Sequence, residues 1–423
     1  MKQNKTRKEI IYLYVIQITN MAIPFVTLPF LTHTLGAEYY GKLSYAQAVS
    51  MIYVFLVDFG FNFSAARAIG VNKDKPEFIN AVYTNVQVIK LFLFLLLLFL
   101  SMLFYYIHGG DTVDNNLFMV GSISSLGSIF VSSWVFQGLG INSILAIINL
   151  FFRLISLCLI FIYIKVRDDV VLAAFLMLMP LIVVGITVQL FFLKRGVVFF
   201  SIKLINFNFI KKLFLESYHN FSASLLTLGF TYFNPLLIKY LFGDAALGVY
   251  SVADKLVNIM RQLYMPVVQG NFSNICCSIS KGNTSDVRNI IIRVFSYFTA
   301  ITLFSYMVNI LIGSWILDFI FGRGYSLSEL NVMFNLICIM LVIQLVISYS
   351  IILVNLIIIP AGYSYYLKRA YFWGLFLYVV SFYPVVNIFD IYGVPIAILL
   401  VEASIVIHFV IFVRNKMDWL FQK

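Results

Sequence analysis

The sequence predicts an all-α polytopic membrane protein with about twelve transmembrane helices. Three observations lead to this prediction. Hydrophobic residues make up 62% of the 423 residues and charged residues only 11%, the apolar residues fall into long uninterrupted runs, and the basic residues lie in short segments between those runs. A soluble domain usually carries about 25% charged residues. No ordinary water-soluble fold could therefore bury this much apolar surface.

The apolar runs have the length of membrane spans. A helix needs about 20 apolar residues to cross the roughly 30 Å hydrocarbon core of a bilayer. The first run is as long as a full span and has no small-residue cleavage pattern after it, so we expect it to remain as the first helix. The approximate bounds of the twelve runs are 9–32, 42–66, 79–107, 116–138, 144–164, 170–193, 217–241, 247–271, 289–313, 328–358, 371–388 and 393–413.

The distribution of Lys and Arg predicts the orientation of these spans. Basic residues collect on the cytoplasmic side of membrane proteins because they resist translocation. If the N-terminus is internal, nineteen of the 29 basic residues lie in inside segments and four in outside segments. One miscounted helix would reverse this bias for the later loops. We therefore expect an even number of spans, with both the N- and the C-terminus in the cytoplasm.

The longest hydrophilic connection lies at the middle of the chain and predicts a division into two lobes. It runs from Lys194 to about Glu216 and mixes cations with Val and Phe residues, a pattern typical of a segment on an anionic membrane surface. We expect an N-terminal lobe with the connecting loop at 1–213 and a C-terminal lobe at 214–423, each with six helices.

An internal repeat supports the two-lobe prediction. Gly36, Gly41, Ser44 and Ala46 recur at a constant offset of 207 residues, and both copies join the first and second spans of a six-span set. Lobes repeated in the same orientation should be related by a pseudo-twofold axis along the membrane normal, with a cavity between them. The alternative is a tight turn that the chain uses twice. The second copy consists of Gly243, Gly248, Ser251 and Ala253.

Polar side chains inside the spans indicate where that cavity lies. Polar groups in a span are costly, so they should face water or one another. In the seventh span they form one stripe at helical spacing. In the third span a similar stripe ends at Lys90. The seventh-span stripe is Asn220, Ser224, Thr227, Thr231 and Asn234, and the third-span stripe is Asn80, Tyr83, Gln87 and Lys90.

Cations outnumber acids within the predicted spans, and this surplus predicts an anionic substrate. Pyrophosphate is a plausible headgroup because Arg offers it bidentate hydrogen bonds. The alternative for each cation is an internal ion pair with a nearby acid. The preferred substrate contacts are Lys90, Arg153, Lys255 and Arg261, with Lys239 nearer the outer exit.

The few acids within the spans are candidates for binding a coupling ion. They are Asp58, Asp254 and Glu402. The four His and four Cys residues are scattered without metal-ligand spacing, and the chain has no nucleotide-binding loop. We therefore expect no metal, no cofactor and no enzymatic activity. Nucleic acid is not an expected partner either, because the net charge of +11 is spread over short loops and forms no basic domain.

The first 140 residues carry motifs that resemble a known family. Pro24 and Pro29 are followed by Leu35-Gly36 and Tyr40-Gly41, then by Asp58-Phe59-Gly60-Phe61 with Ser64 and Arg67, and Trp134-x-Phe136-Gln137-Gly138 ends the fourth span. This pattern resembles the polysaccharide transporter family of the multidrug/oligosaccharidyl-lipid/polysaccharide exporter superfamily, with its MATE-like fold. The likeness covers the whole chain in length and in the number of helices.

The resemblance implies a Wzx-type flippase of the bacterial inner membrane. Such a protein moves an undecaprenyl-pyrophosphate-linked oligosaccharide, such as an O-antigen repeat unit, from the cytoplasmic to the periplasmic leaflet. Implied partners are the lipid-linked oligosaccharide, membrane lipids, a polysaccharide polymerase and a chain-length regulator.

Two other functions remain open from the sequence. The first is a multidrug or organic-ion exporter of the same superfamily. An excess of Lys and Arg in its cavity would repel organic cations. The second is a membrane polysaccharide polymerase, which usually carries a large periplasmic loop that this chain lacks.

Overall fold

The computed structural model describes the backbone of residues 2–110, 112–363 and 365–417. Side chains are described in these ranges except those of residues 2–22 and of His219, Ala223, Thr227, Phe230, Thr231, Met265, Pro266, Gln269, Ser273, Asn274 and Ser280. Two members of the predicted seventh-span stripe, Thr227 and Thr231, thus lie outside the described side chains. The described backbone is almost entirely helical and contains no strand, which confirms the all-α prediction.

Fourteen α-helices follow one another along the described chain. The bounds in the N-terminal half are α1 Lys2–Asp58, α2 Phe61–Val71, α3 Pro76–Ile107, α4 Val113–Ser124, α5 Leu126–Val131, α6 Ser133–Leu139, α7 Asn142–Tyr163, α8 Val170–Arg195 and α9 Phe207–Thr231. The remaining helices are α10 Asn234–Ser280, α11 Thr284–Phe321, α12 Leu327–Ile352, α13 Tyr365–Phe389 and α14 Gly393–Lys416. A π-helical turn, Leu353–Ile358, extends α12.

Two of these helices are interrupted by a glycine at the repeated motif. In α1, Gly36 has φ 73° and ψ 178°. In α10, Gly243 has φ 83° and ψ −178°. Only glycine adopts this conformation readily, and it ends one helix and starts the next. The two positions related by the sequence offset of 207 therefore have the same backbone conformation, as a structural repeat requires.

Most of the long helices can span a membrane. Among the described residues, eight helical segments are long and apolar enough to cross a bilayer, or nine if the bent pair Ile23–Asp58 and Phe61–Val71 forms one span. Many large apolar side chains are exposed, as on α11, where Phe304 and Leu311 are each 67% exposed. Such surfaces are stable only in contact with lipid. The protein is therefore a multi-pass membrane protein, while the number of twelve spans stays a prediction.

The chain divides into two compact units, Met1–Leu225 and Leu226–Lys423. The first unit has an aromatic core that includes Phe61, Trp134 and Phe192. The second has a core built around Tyr264, Phe298 and Phe409. The boundary between the units falls inside α9, whereas the sequence placed the lobe boundary between residues 213 and 214. The early turns of α9 belong to the first unit because they pack against the end of α1.

That packing is visible at Phe59, the residue after α1. Its ring stacks on Phe214 and on Phe221, each at a centroid distance of 4.4 Å. The Ser64 hydroxyl is 2.6 Å from the Ser217 hydroxyl. The part of α9 from Phe214 to Phe221 is thus held to the junction of α1 and α2.

Candidate functional site

Lys90 and Asp58 form an ion pair inside the first unit. The Lys90 ammonium nitrogen lies 2.7 Å from Oδ1 of Asp58 and 2.7 Å from the backbone oxygen of Ser128. Lys90 is 1% exposed and the Asp58 side chain 22%. A buried cation of this kind needs both a counter-charge and further hydrogen bonds. Asp58 supplies the charge, and the left-handed residue Ser132, which ends α5 four residues after Ser128, leaves the Ser128 carbonyl group available to Lys90.

The same ion pair is connected to a chain of hydrogen bonds. Asn62 donates to Oδ2 of Asp58 at 3.1 Å, and Ser133 donates to the Asn62 side-chain oxygen at 2.8 Å. Gln87 donates to the Ser132 hydroxyl at 2.6 Å. These bonds join α1, α2, α3 and α6. They satisfy polar groups that would otherwise be costly in a membrane span.

The third-span stripe is bonded within this unit. Tyr83 donates to Gln189 of α8, and Asn80 accepts from the Phe199 backbone N–H at 3.0 Å. Each of the four stripe residues therefore has a partner in the first unit. In this structure the Lys90 ammonium group is 1% exposed and bonds Asp58, so that it could reach a ligand only by leaving that carboxylate. The predicted roles of Lys90 in substrate binding and of Asp58 in ion coupling stay predictions.

Arg153 has a different environment. It lies at the middle of α7 and is exposed, as are the neighbouring residues Phe151, Leu154 and Ile155. A cation at mid-span depth is costly against hydrocarbon. Arg153 thus combines a mid-span position with an exposed side chain, unlike Lys90.

Lys239 of the second unit forms an ion pair near the glycine break of α10. Its ammonium group bonds Asp244, one residue after Gly243. Both side chains are partly buried. The sequence placed Lys239 near the outer exit as a substrate contact, and in this structure its nearest acid is five residues away on the same helix.

Arg261 lies on the second segment of α10 and is held by a neutral partner. Its Nε–H donates to the Gln344 side-chain oxygen at 3.3 Å. Asp254 instead accepts from the Asn258 amide at 2.8 Å. Among the described residues, the ion pairs within 4 Å do not include Arg261. The guanidinium group has five N–H donors, and only one of them is used by this contact.

Two acids and a second cation surround Arg261 at longer range. The charge of Arg261 acts on the carboxyl groups of Asp254 and Glu402, and the charge of Lys255 acts on Asp254. All four side chains are partly buried. The structure therefore brings together four of the residues singled out from the sequence, Asp254, Lys255, Arg261 and Glu402, in one charge cluster of the second unit.

Two residues that matter for this arrangement were missed by the sequence analysis. Gln344 of α12 is 1% exposed and holds Arg261. Asn62 of α2 bridges Asp58 and Ser133. The signal for Gln344 was a single polar residue within an apolar run, which is costly unless it has a polar partner on another helix.

Similar proteins identify the family of the chain. Residues 6–271 match the profile of the family described as "Polysaccharide biosynthesis protein". A protein of Shigella dysenteriae that is provisionally named an O-antigen transporter is 27% identical over 408 residues, covering 95% of this chain and 98% of that protein. A protein of Escherichia coli strain K12 with the same provisional name is 22% identical, covering 97% of each chain.

Solved structures agree on the fold. The chain resembles an inward-facing multidrug resistance MATE family transporter of the MOP superfamily with a TM-score of 0.74 and 15% identity, covering 98% of this chain and 99% of that one. It resembles the lipid II flippase MurJ with a TM-score of 0.72 and 12% identity, covering 98% and 89%. The profile covers more than half of the chain, and the chain therefore belongs to the polysaccharide biosynthesis protein family.

Proposed function

We propose that this protein is a flippase for an undecaprenyl-pyrophosphate-linked oligosaccharide. It moves the repeat unit of a surface polysaccharide, such as O-antigen, from the cytoplasmic to the periplasmic leaflet of a bacterial inner membrane. The provisional names of its relatives and the match to the polysaccharide biosynthesis family support this substrate class. The MATE-like fold supports transport by alternating access.

The observation that carries the proposal is the environment of Arg261. Its guanidinium group lies in an apolar helix, bonded by the neutral Gln344 amide, with the nearby Asp254 carboxylate bonded to Asn258 instead. A pyrophosphate can accept bidentate hydrogen bonds from such a group. Lys255, next to Asp254 in the same charge cluster, would supply a second cation.

Arg153 is the second proposed headgroup contact. It is an exposed cation at the middle of α7, and a bound anion would offset part of the cost of a charge at this depth. We assign Lys239 a lesser role because it already bonds Asp244. We assign Lys90 no contact in this conformation because it bonds Asp58 inside the first unit.

Asp254 and Glu402 are the proposed sites for a coupling proton or sodium ion. Both carboxyl groups interact electrostatically with Arg261. A pyrophosphate bound to Arg261 would weaken the electrostatic attraction between Arg261 and the two carboxylates. Binding of the substrate and binding of the coupling ion would therefore influence each other. Asp58 is a weaker candidate, because the Lys90 ammonium group already neutralises it.

The remaining features of the proposal follow from the sequence. They are twelve spans in two six-helix lobes related by a pseudo-twofold axis along the membrane normal, both termini in the cytoplasm, and no enzymatic activity. A polysaccharide polymerase and a chain-length regulator would be the partners that use the flipped substrate.

The test is replacement of Arg261 in cells whose surface glycan depends on this protein. Arg261→Gln removes the charge, and Arg261→Lys keeps the charge but not the bidentate geometry. We expect surface glycan to fall at least about tenfold with Gln and less with Lys, as for the loss of one charged hydrogen bond. Arg323→Gln is the matched control, because Arg323 is an exposed cation in a loop.

Membrane abundance of each variant is measured in the same cells. Normal glycan display by an abundant Arg261→Gln variant would contradict the headgroup assignment. In the strain that carries the gene naturally, unchanged glycan display on deletion of the gene, together with loss of organic-cation efflux from its membrane vesicles, would contradict the proposed substrate class and favour an exporter.

A further inference from the structure

The connection between α8 and α9 is a fixed segment rather than a loose loop. Residues 196–206, called the linker below, contain one short 3-10 turn, Ile202–Leu204. Val198 is 2% exposed and belongs to the core of the first unit, as does Leu213 in the second turn of α9. The linker is thus anchored by a buried residue near its start and by the buried face of the helix that follows it.

Three polar side chains of α3 hold the linker backbone between these anchors. The Asn80 side-chain oxygen accepts from the Phe199 N–H at 3.0 Å, and the Thr84 hydroxyl accepts from the Ser201 N–H at 3.2 Å.

Asn85, which is fully buried, makes two further bonds to the linker. It donates to the Leu204 backbone oxygen at 2.9 Å and accepts from the Asn206 N–H at 2.9 Å. Non-helical backbone near a membrane needs such partners for its polar groups.

The fixed linker exposes apolar side chains. Ile202 is 77% exposed, Phe199, Phe200 and Ile205 are also exposed, and Phe207, the first residue of α9, is 79% exposed. A segment anchored by four hydrogen bonds and two buried residues does not need these side chains outside the core for its own folding. Their exposure indicates that they contact an apolar phase outside the protein.

Exposed cations alternate with these apolar side chains. The five cations are Lys194, Arg195, Lys203, Lys211 and Lys212. No acid occurs from residue 194 to residue 212. Apolar side chains that enter the headgroup region, flanked by cations without counter-charges in the same segment, match a leaflet with anionic headgroups.

We infer that the linker is a docking surface for anionic phospholipid in the inner leaflet, in the orientation that the positive-inside rule predicts. The positive-inside rule alone accounts for the cations but not for four exposed apolar side chains on the anchored linker and a fifth, Phe207, at the start of α9. The inference does not depend on the proposed substrate, because the linker belongs to the first unit and the charge cluster around Arg261 belongs to the second.

The test uses the full-length protein in vesicles of phosphatidylcholine with added phosphatidylglycerol. A photoactivatable phosphatidylglycerol is crosslinked, and the labelled peptides are mapped by mass spectrometry. We expect labelling of residues 194–212 in the wild type and about a fivefold loss per removed cation in Lys211→Gln/Lys212→Gln. The matched control is Lys368→Gln/Arg369→Gln, which removes two exposed cations of the second unit.

Two outcomes would overturn the inference. One is equal labelling of the linker by photoactivatable phosphatidylcholine, which would show contact without headgroup selectivity. The other is displacement of the phosphatidylglycerol label by inorganic phosphate, which would indicate a soluble-anion site. A second variant, Phe199→Ser/Phe200→Ser, keeps the cations, and we expect it also to lose labelling if the apolar side chains enter the membrane.

Discussion

The Asp58 carboxylate and the Lys90 ammonium group, 2.7 Å apart, join the last residue of α1 to the middle of α3. Immediately after Asp58 the chain turns through Phe59 with φ 41° and Gly60 with φ 79°. Ser132, which also has a positive φ of 45°, separates α5 from α6. The ion pair and the Asn62–Ser133 hydrogen bond therefore hold these two breaks of the first unit together.

Breaking this ion pair should destabilise the protein strongly. Lys90→Met leaves the Asp58 carboxylate without its counter-charge, and we expect a loss of about 3 kcal/mol in the free energy of unfolding. Lys90→Met/Asp58→Asn removes both charges and should recover most of that loss, because two neutral side chains need no charge compensation. Denaturant unfolding in detergent micelles measures both variants.

An exposed ion pair provides the comparison. Lys42 and Glu38 lie 3.0 Å apart on α1, and the Glu38 side chain is 58% exposed. Lys42→Met should cost less than about 1 kcal/mol. A loss for Lys90→Met no greater than that for Lys42→Met would show that the Asp58–Lys90 pair does not stabilise the fold.

Gly60 should not tolerate a side chain. A Cβ atom at Gly60 would lie 2.9 Å from the Ser217 backbone oxygen and 3.0 Å from the Phe221 nitrogen, and φ is +79°. We expect Gly60→Ala to cost about 3 kcal/mol from backbone strain and overpacking together. Gly109 has φ +85° but no atom within 4 Å of its Cβ position. Gly109→Ala should therefore cost about 1 kcal/mol from strain alone. Equal losses of stability for Gly60→Ala and Gly109→Ala would argue against close packing of α9 on the turn between α1 and α2.

Replacing two glycines of the α2–α6 contact by alanine should change the stability of the protein in opposite directions. A Cβ atom at Gly138 would lie 2.8 Å from Cβ of Ile69 and 2.9 Å from the Ala66 oxygen, whereas at Gly70 the nearest atom is 3.7 Å away. Gly138→Ala should destabilise by about 2 kcal/mol through overpacking. Gly70→Ala should stabilise by about 0.5 kcal/mol because alanine has the higher helix propensity. Thermal unfolding in one detergent compares the two, and a stabilised Gly138→Ala would contradict this packing.

The fold could be predicted from the sequence where the signal is local. Apolar runs identified the helices, because lipid forces each span to bond its own backbone. The repeat motif predicted matching turns at Gly36 and Gly243, and the two glycines have the same backbone conformation. The break at Ser132 gave no such signal. A serine in left-handed conformation is stabilised by its tertiary contacts, here the Gln87 amide, and not by its own propensity.

The site was less predictable because helical periodicity identifies a face but not what covers it. Gln87 and Lys90 share one face of α3, as their spacing required. Their partners are Ser132 and Asp58, which come from other helices, so the face contacts protein instead of water. Arg261 was a candidate for the same reason as Lys90, because a cation inside a span is costly. The partner of Arg261 is the neutral Gln344 side chain. Only the tertiary structure separates these two cases.

The Gln344–Arg261 contact supplies a test in which transport and stability should diverge. Gln344→Glu keeps the shape of the side chain and converts the 3.3 Å hydrogen bond into an ion pair. The new carboxylate would neutralise a cation already present in the span, so the protein should reach the membrane in normal amount. Surface glycan should nevertheless fall at least about tenfold, because Arg261 would no longer be available to pyrophosphate.

Gln262→Glu is the control. It adds the same charge next to Arg261 in the chain, without the Gln344 contact, and should impair transport less. If Gln344→Glu cells display as much glycan as the wild type, Arg261 does not bind the headgroup.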